Sequence, residues 1–125
     1  MDTSARRWFL IACLLAATAI ALGAFGSHAL RARLEPRMLE VFEIGVRYQL
    51  IHALALLGIS LGWPRLQPRR ATAACALMLG GTIVFSGSLY LMVLTGIRML
   101  GAITPIGGVA LIISWVILAF SPIKK

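Results

Sequence analysis

The chain has 125 residues, enough for one domain. Hydrophobic residues make up 60% of it and charged residues 13%, with a mean hydropathy of +0.93, whereas soluble proteins carry about 25% charged residues. A soluble core of this size cannot hide so much apolar surface, so the composition excludes a soluble globular domain and requires the bilayer as solvent. The net charge of +8 comes from 12 Lys and Arg against 4 Asp and Glu. It does not signal nucleic acid, because the basic residues fall mainly in short segments between apolar runs, the pattern of membrane topology.

The first apolar run extends from about Trp8 to Leu30, long enough to cross about 30 Å of hydrocarbon. Arg6-Arg7 before it and Ala19-Ile20-Ala21 within it also resemble a signal peptide. The run continues past that site through Phe25 to His28, which favours a retained helix. Arg31 to Pro36 forms a connector, and Pro36 suits the first turn of a second helix. From there to Gly62 no proline interrupts, and a glycine such as Gly45 is tolerated in membrane helices. The result is a long helix whose first two turns lie at the interface and whose remainder, about residues 42–62, spans.

Gly62 to Arg70 holds two prolines and three arginines and reads as a loop. A third span covers about residues 71–94. Thr95-Gly96-Ile97-Arg98 reads as a tight turn that makes the third and fourth spans antiparallel neighbours. The fourth span covers about residues 100–120. Within it Thr104 and Pro105 are placed as cap and first helical residue. A helix from Pro105 to Phe120 covers about 24 Å, short of a full span. Either Pro105 kinks a continuous helix, or Gly101 to Thr104 is irregular backbone covered by protein or water.

Orientation follows the Lys and Arg count. With the N-terminus inside, Arg6, Arg7, Arg65, Arg69, Arg70, Lys124 and Lys125 are cytoplasmic, while Arg31, Arg33, Arg37, Arg47 and Arg98 face the other side. Both termini are therefore expected in the cytoplasm. Cys13 and Cys75 stand inside apolar runs without metal-ligand spacing, as small packing residues do.

Helices in lipid associate by close packing of small residues. Ala12, Ala16, Ala19, Gly23 and Gly26 form such a stripe in the first span. Ala73, Ala76, Gly80 and Gly87 form one in the third, and Gly101, Gly107, Gly108 and Ala110 in the fourth. These faces are expected to hold the bundle together, with some left for a homo-oligomer.

Charge runs directly into the second span. Helical spacing places Glu40, Glu43 and Arg47 on one face, with Glu43 and Arg47 able to pair, and Tyr48 and His52 on an adjacent one. At about 1.5 Å per residue, Arg47 lies roughly 22 Å and His52 roughly 15 Å above Gly62, so His52 is near mid-membrane. Ser27-His28, Ser86 to Tyr90 and Thr104 are expected at the same outer level. Ionisable groups within a bilayer often mark function. The candidate ligand-binding residues are His28, Glu43, Arg47, Tyr48, His52, Ser86, Ser88, Tyr90 and Thr104. Two readings follow. In the structural one, Glu43 neutralises Arg47 while His28, Gln49, His52, Ser86 and Thr104 make interhelical hydrogen bonds. In the functional one, the same groups line a pocket for a lipid headgroup, a quinone or a small ion. Two histidines fall short of a metal site, no cofactor is implied, and no nucleophile-base-acid set is present, so enzymatic activity has no specific support.

Gly23-Ala-Phe-Gly-Ser-His-Ala-Leu30, Phe42-Glu43 and Val46-Arg-Tyr-Gln-Leu-Ile-His-Ala-Leu-Ala-Leu56 resemble the family called domain of unknown function 423. Phe85-Ser-Gly-Ser-Leu-Tyr90 and Gly101-Ala-Ile-Thr-Pro-Ile-Gly-Gly108 resemble its two later motifs. Ser27 departs from the pattern, where a small residue such as Ala is expected. The resemblance implies a small bacterial inner-membrane protein with about four spans, and it implies no activity. The expected fold is all-α, an integral-membrane four-helix bundle forming one domain over residues 1–125, with membrane lipids as its partners.

Overall fold

The computed structural model describes residues 1–124. Four helices follow one another: α1 (Thr3–Phe25), α2 (Pro36–Gly62), α3 (Pro68–Thr95) and α4 (Thr104–Ala119). Each is long and apolar enough to cross a membrane once the short helical turn ahead of α4 is included. The chain is an all-α four-helix membrane bundle.

The ends of the helices follow local chemistry. Asp2 caps α1, its carboxylate accepting from Ser4 N at 2.9 Å. Pro36 and Pro68 occupy first-turn positions, where a missing N–H costs nothing. The third helix thus starts at Pro68, three residues before its expected start. Gly96 ends it with φ +73°, the left-handed conformation that glycine adopts without strain, and its N–H donates to Met92 O.

Two segments depart from regular α-helix. Gly26–Leu30 winds as a π-turn that extends α1. Arg98–Ala102 forms a 3₁₀ turn ahead of α4, with Ile103 N donating to Leu100 O and Ile106 N to Ile103 O. The fourth span is therefore neither a simple kink nor open backbone. Its 16 α-helical residues cover about 24 Å, and five residues of 3₁₀ helix add about 10 Å, which together match the hydrocarbon.

The helices pack as an ordered row, α1 on α2, α2 on α3 and α3 on α4, so α1 and α4 are flanks. Correspondingly, the most apolar windows of α2 and α3 are 39% and 44% buried, against 17% and 22% for α1 and α4. Two apolar clusters fill the ends. One gathers Ala5, Ala12, Leu56, Ile59, Trp63, Cys75 and Met78, and the other Leu30, Phe42 and Val93.

Close approach is built from glycine where a side chain would collide. A Cβ on Gly26 would stand 2.5 Å from the Phe42 ring, and one on Gly107 would stand 2.5 Å from Phe85 N. The first-span stripe does face inward, with Ala12, Ala19 and Gly26 buried. The expected third-span stripe does not: Ala73, Ala76 and Gly80 are exposed, while Ala71, Ala74, Cys75 and Gly81 are buried. Since α3 contacts both α2 and α4, its buried face is broad, and small residues on the remaining side are not part of it.

Candidate functional site

Between the two apolar clusters lies a layer of polar side chains. Along α2 the inward face runs Phe42, Gly45, Gln49, His52, Leu56 and Ile59, so the polar residues follow one apolar group and precede the next. This face is distinct from the one carrying charge. Glu40, Glu43 and Arg47 lie on an outward stripe that continues through Ile51, Leu54, Gly58 and Leu61, all exposed. A stripe of this kind belongs to lipid, with its charged end at the headgroups. The expected Glu43–Arg47 pair is absent: the two groups are exposed, and no ion pair or hydrogen bond joins them. In water-rich surroundings such a pair gains little over separate hydration.

Gln49 is the centre of the layer. Its Nε2 donates to Leu15 O at 3.0 Å and to Thr18 Oγ1 at 2.8 Å on α1. Its Oε1 accepts from Tyr90 OH at 2.8 Å on α3. The partners determine which way the amide points, because Leu15 O can only accept. Thr18 donates its own proton back to Leu14 O and Leu15 O, so it is free to accept from Gln49. Tyr90 reaches Gln49 by crossing Gly45, where a Cβ would meet its ring at 2.7 Å. Ser86 Oγ donates to Gly45 O at 2.7 Å beside it. One glutamine and one glycine thereby join three helices.

Three further links reach α4. Trp115 Nε1 donates to His52 Nε2 at 3.1 Å, and His52 Nδ1 lies 2.8 Å from Tyr48 O. An indole N–H can only donate and a carbonyl only accept, so Nδ1 carries the proton and the imidazole is neutral. Ser88 Oγ donates to Phe85 O at 2.9 Å and lies 2.6 Å from Thr104 Oγ1. With the Ser88 proton committed, Thr104 is the donor. Thr104 therefore links helices and makes no side-chain cap for α4. Lower down, Ser114 Oγ donates to Ala74 O at 2.7 Å.

The nine candidate residues divide accordingly. His52, Ser86, Ser88, Tyr90 and Thr104 take part in these links, and Tyr48 contributes its carbonyl and a ring 4.5 Å from Phe85. His28, Glu43 and Arg47 are exposed and outside the layer. Every charged residue described is exposed, so the layer is neutral throughout. Thr82 Oγ1 is buried without a partner. No group of three His, Cys, Asp or Glu comes together among the described residues, which leaves no metal set.

Gln49 was recognisable as a polar residue in mid-span, but its position as the centre of the layer was not. Thr18 and Trp115 resemble ordinary lipid-facing residues in sequence. Of the five main cavities, one of about 460 Å³ touches the candidates through Ser88 and Tyr90, with Ile83, Val84, Leu91, Leu100 and Ile103 making the rest of its lining largely apolar.

Residues 22–108 match the family described as Protein of unknown function (DUF423). The chain is 40% identical over 118 residues to the UPF0382 membrane protein YwdK of Bacillus subtilis (strain 168), covering 94% of this chain and 96% of that one. A UPF0382 membrane protein of Staphylococcus aureus (strain bovine RF122 / ET3-1) is 41% identical over 119 residues, covering 94% and 95%. No solved structure matches significantly.

Proposed function

The chain belongs to the DUF423 family of membrane proteins of unknown function, and from that premise we propose that it is a non-enzymatic inner-membrane protein whose neutral polar layer holds the four helices in a single register. The layer occupies the outer half of the bilayer in this reading, with both termini cytoplasmic. The carrying observation is Gln49, whose amide uses both donors and its oxygen to join α1, α2 and α3.

The energetics favour an organising role over a binding role. Interhelical hydrogen bonds in membranes contribute about 0.6 kcal/mol each on average, so the three at Gln49 supply roughly 2 kcal/mol. That is modest for stability but costly to lose for register, because a rotated helix would leave buried polar groups unpaired in hydrocarbon. A ligand entering the layer would have to replace bonds that the protein already makes to itself. The exposed flanks of α1 and α4, and the outward Ala73, Ala76 and Gly80, are the surfaces available to lipid or to a second copy.

The test replaces Gln49 by Leu and follows reversible unfolding and inter-helix crosslinking between cysteines placed on α1 and α2 and on α2 and α3. Loss of the α1–α2 and α2–α3 crosslinks together with lower stability supports the reading. Unchanged crosslinking and stability would remove it. Terminal tags accessible from outside the cell would overturn the orientation.

A further inference from the structure

The first turn of α3 carries no compensating negative charge. A helix start carries a partial positive charge and unpaired N–H groups, which acidic residues normally offset. Here Gln67 supplies no side-chain cap, the first turn holds no acidic residue, and Arg69 and Arg70 stand in its place. Arg65 lies just before them in the 3₁₀ turn Trp63–Arg65. Among the described residues, the side-chain carboxylate at this end of the bundle is that of Asp2, already engaged by Ser4 N and by Trp63 Nε1 at 3.0 Å.

These arginines border the largest groove described, about 620 Å³ between the start of α3 and the end of α4. Arg69 and Arg70 form its polar edge, and Ala73, Val116, Ile117 and Phe120 form apolar walls. Arg70 is held in place by donating from Nη1 to Phe120 O at 2.6 Å, which leaves its other N–H groups free. Arg69 makes no side-chain hydrogen bond among the described residues. The groove is thus cationic at the membrane edge and apolar toward the spans.

We propose that this groove holds one anionic glycerophospholipid, its phosphate on Arg69 and Arg70 and an acyl chain along Ala73, Val116 and Ile117. Guanidinium groups suit a phosphate because their planar donors can pair with its oxygens two at a time. Basic pockets between spans are recognised sites for lipid headgroups. A free anion would have no use for the apolar walls, and a zwitterionic lipid would bring an ammonium group into a region already short of negative charge. The site shares no residue with the polar layer around Gln49, so either reading can fail without the other.

Native mass spectrometry of the full chain in detergent tests this, with phosphatidylglycerol and phosphatidylethanolamine of matched acyl chains as probes. Phosphatidylglycerol is expected to be retained preferentially, and Arg69→Gln to weaken that retention about fivefold, the effect of one basic residue near an anionic surface. Ala73→Trp, which fills the groove, should abolish the preference, while Arg31→Gln with Arg33→Gln at the opposite end should leave it intact. Thermal unfolding of each variant confirms that it is folded. Equal retention of the two lipids, indifference to Arg69→Gln in folded protein, or displacement of the lipid by millimolar inorganic phosphate would each overturn the proposal.

Discussion

Tyr90 donates its hydroxyl to Gln49 Oε1 at 2.8 Å from a ring that occupies the space a side chain on Gly45 would need. The interhelical hydrogen bond therefore depends on the absence of one methyl group a full turn away on α2. Phe42, 5.3 Å from the Tyr90 ring centre, closes the other side and leaves the ring little freedom to move.

Gly45→Ala is accordingly expected to displace Tyr90 and break its bond to Gln49. The expected destabilisation is about 1–3 kcal/mol, the range for overpacking a filled site. Reversible unfolding in mixed micelles measures it. Combined with Tyr90→Phe, the loss should be less than additive, since both changes remove the same bond. Strict additivity would mean that the two residues act separately.

Gly107→Ala should be worse. Its Cβ would lie 2.5 Å from Phe85 N and 2.8 Å from Gly81 O, both main-chain atoms that cannot swing aside. About 3 kcal/mol is expected, with α3 and α4 pushed apart. Gly80→Ala makes the control, because nothing lies within 4 Å of the added carbon. It should be neutral or stabilising by up to about 1 kcal/mol through helix propensity.

Thr82 and Ser86 are one helical turn apart on α3 and should respond oppositely. Thr82 Oγ1 is buried without a partner, so Thr82→Val removes an unsatisfied hydroxyl and keeps the shape. Unchanged or slightly higher stability is expected. Ser86→Ala removes the 2.7 Å bond to Gly45 O and should cost about 0.6 kcal/mol. Unfolding of the two variants side by side decides the matter.

His52 should carry its proton on Nδ1, held by Tyr48 O on one side and the Trp115 indole on the other. Nitrogen-15 spectroscopy of labelled histidine should show a protonated Nδ1 and a bare Nε2. Trp115→Phe removes the donor to Nε2 and leaves Tyr48 O in place, so the proton should stay on Nδ1 while the Nε2 resonance shifts with the loss of its hydrogen bond. A protonated Nε2 in the parent protein would contradict the assigned geometry.

Much of this architecture was legible in the sequence because it depends on local properties. The need for about 20 apolar residues to cross hydrocarbon, Pro36 at a helix start and Gly96 at a helix end point to four long apolar helices. The polar residues of the layer were visible for the same reason: Gln49, His52, Ser86 and Thr104 are exceptions inside apolar runs. Their partners were less visible. Glu43 and Arg47 had pairing distance along α2 but face outward, and Thr104 had a capping position but bonds to Ser88. Trp115 and Thr18 offered no polar anomaly to notice.

The amino-acid sequence by itself determined the bilayer as solvent, the number of spans, their order and the family. It did so because transfer from water to hydrocarbon is a property of each segment alone. Only the tertiary structure decided which face of each helix turns inward. Helical periodicity places residues around an axis without saying which neighbour lies at which angle. The row from α1 to α4 sets those angles, directing Gln49 toward Thr18 and Tyr90, turning Ala73 and Gly80 outward, and leaving Arg69 and Arg70 at the mouth of a groove.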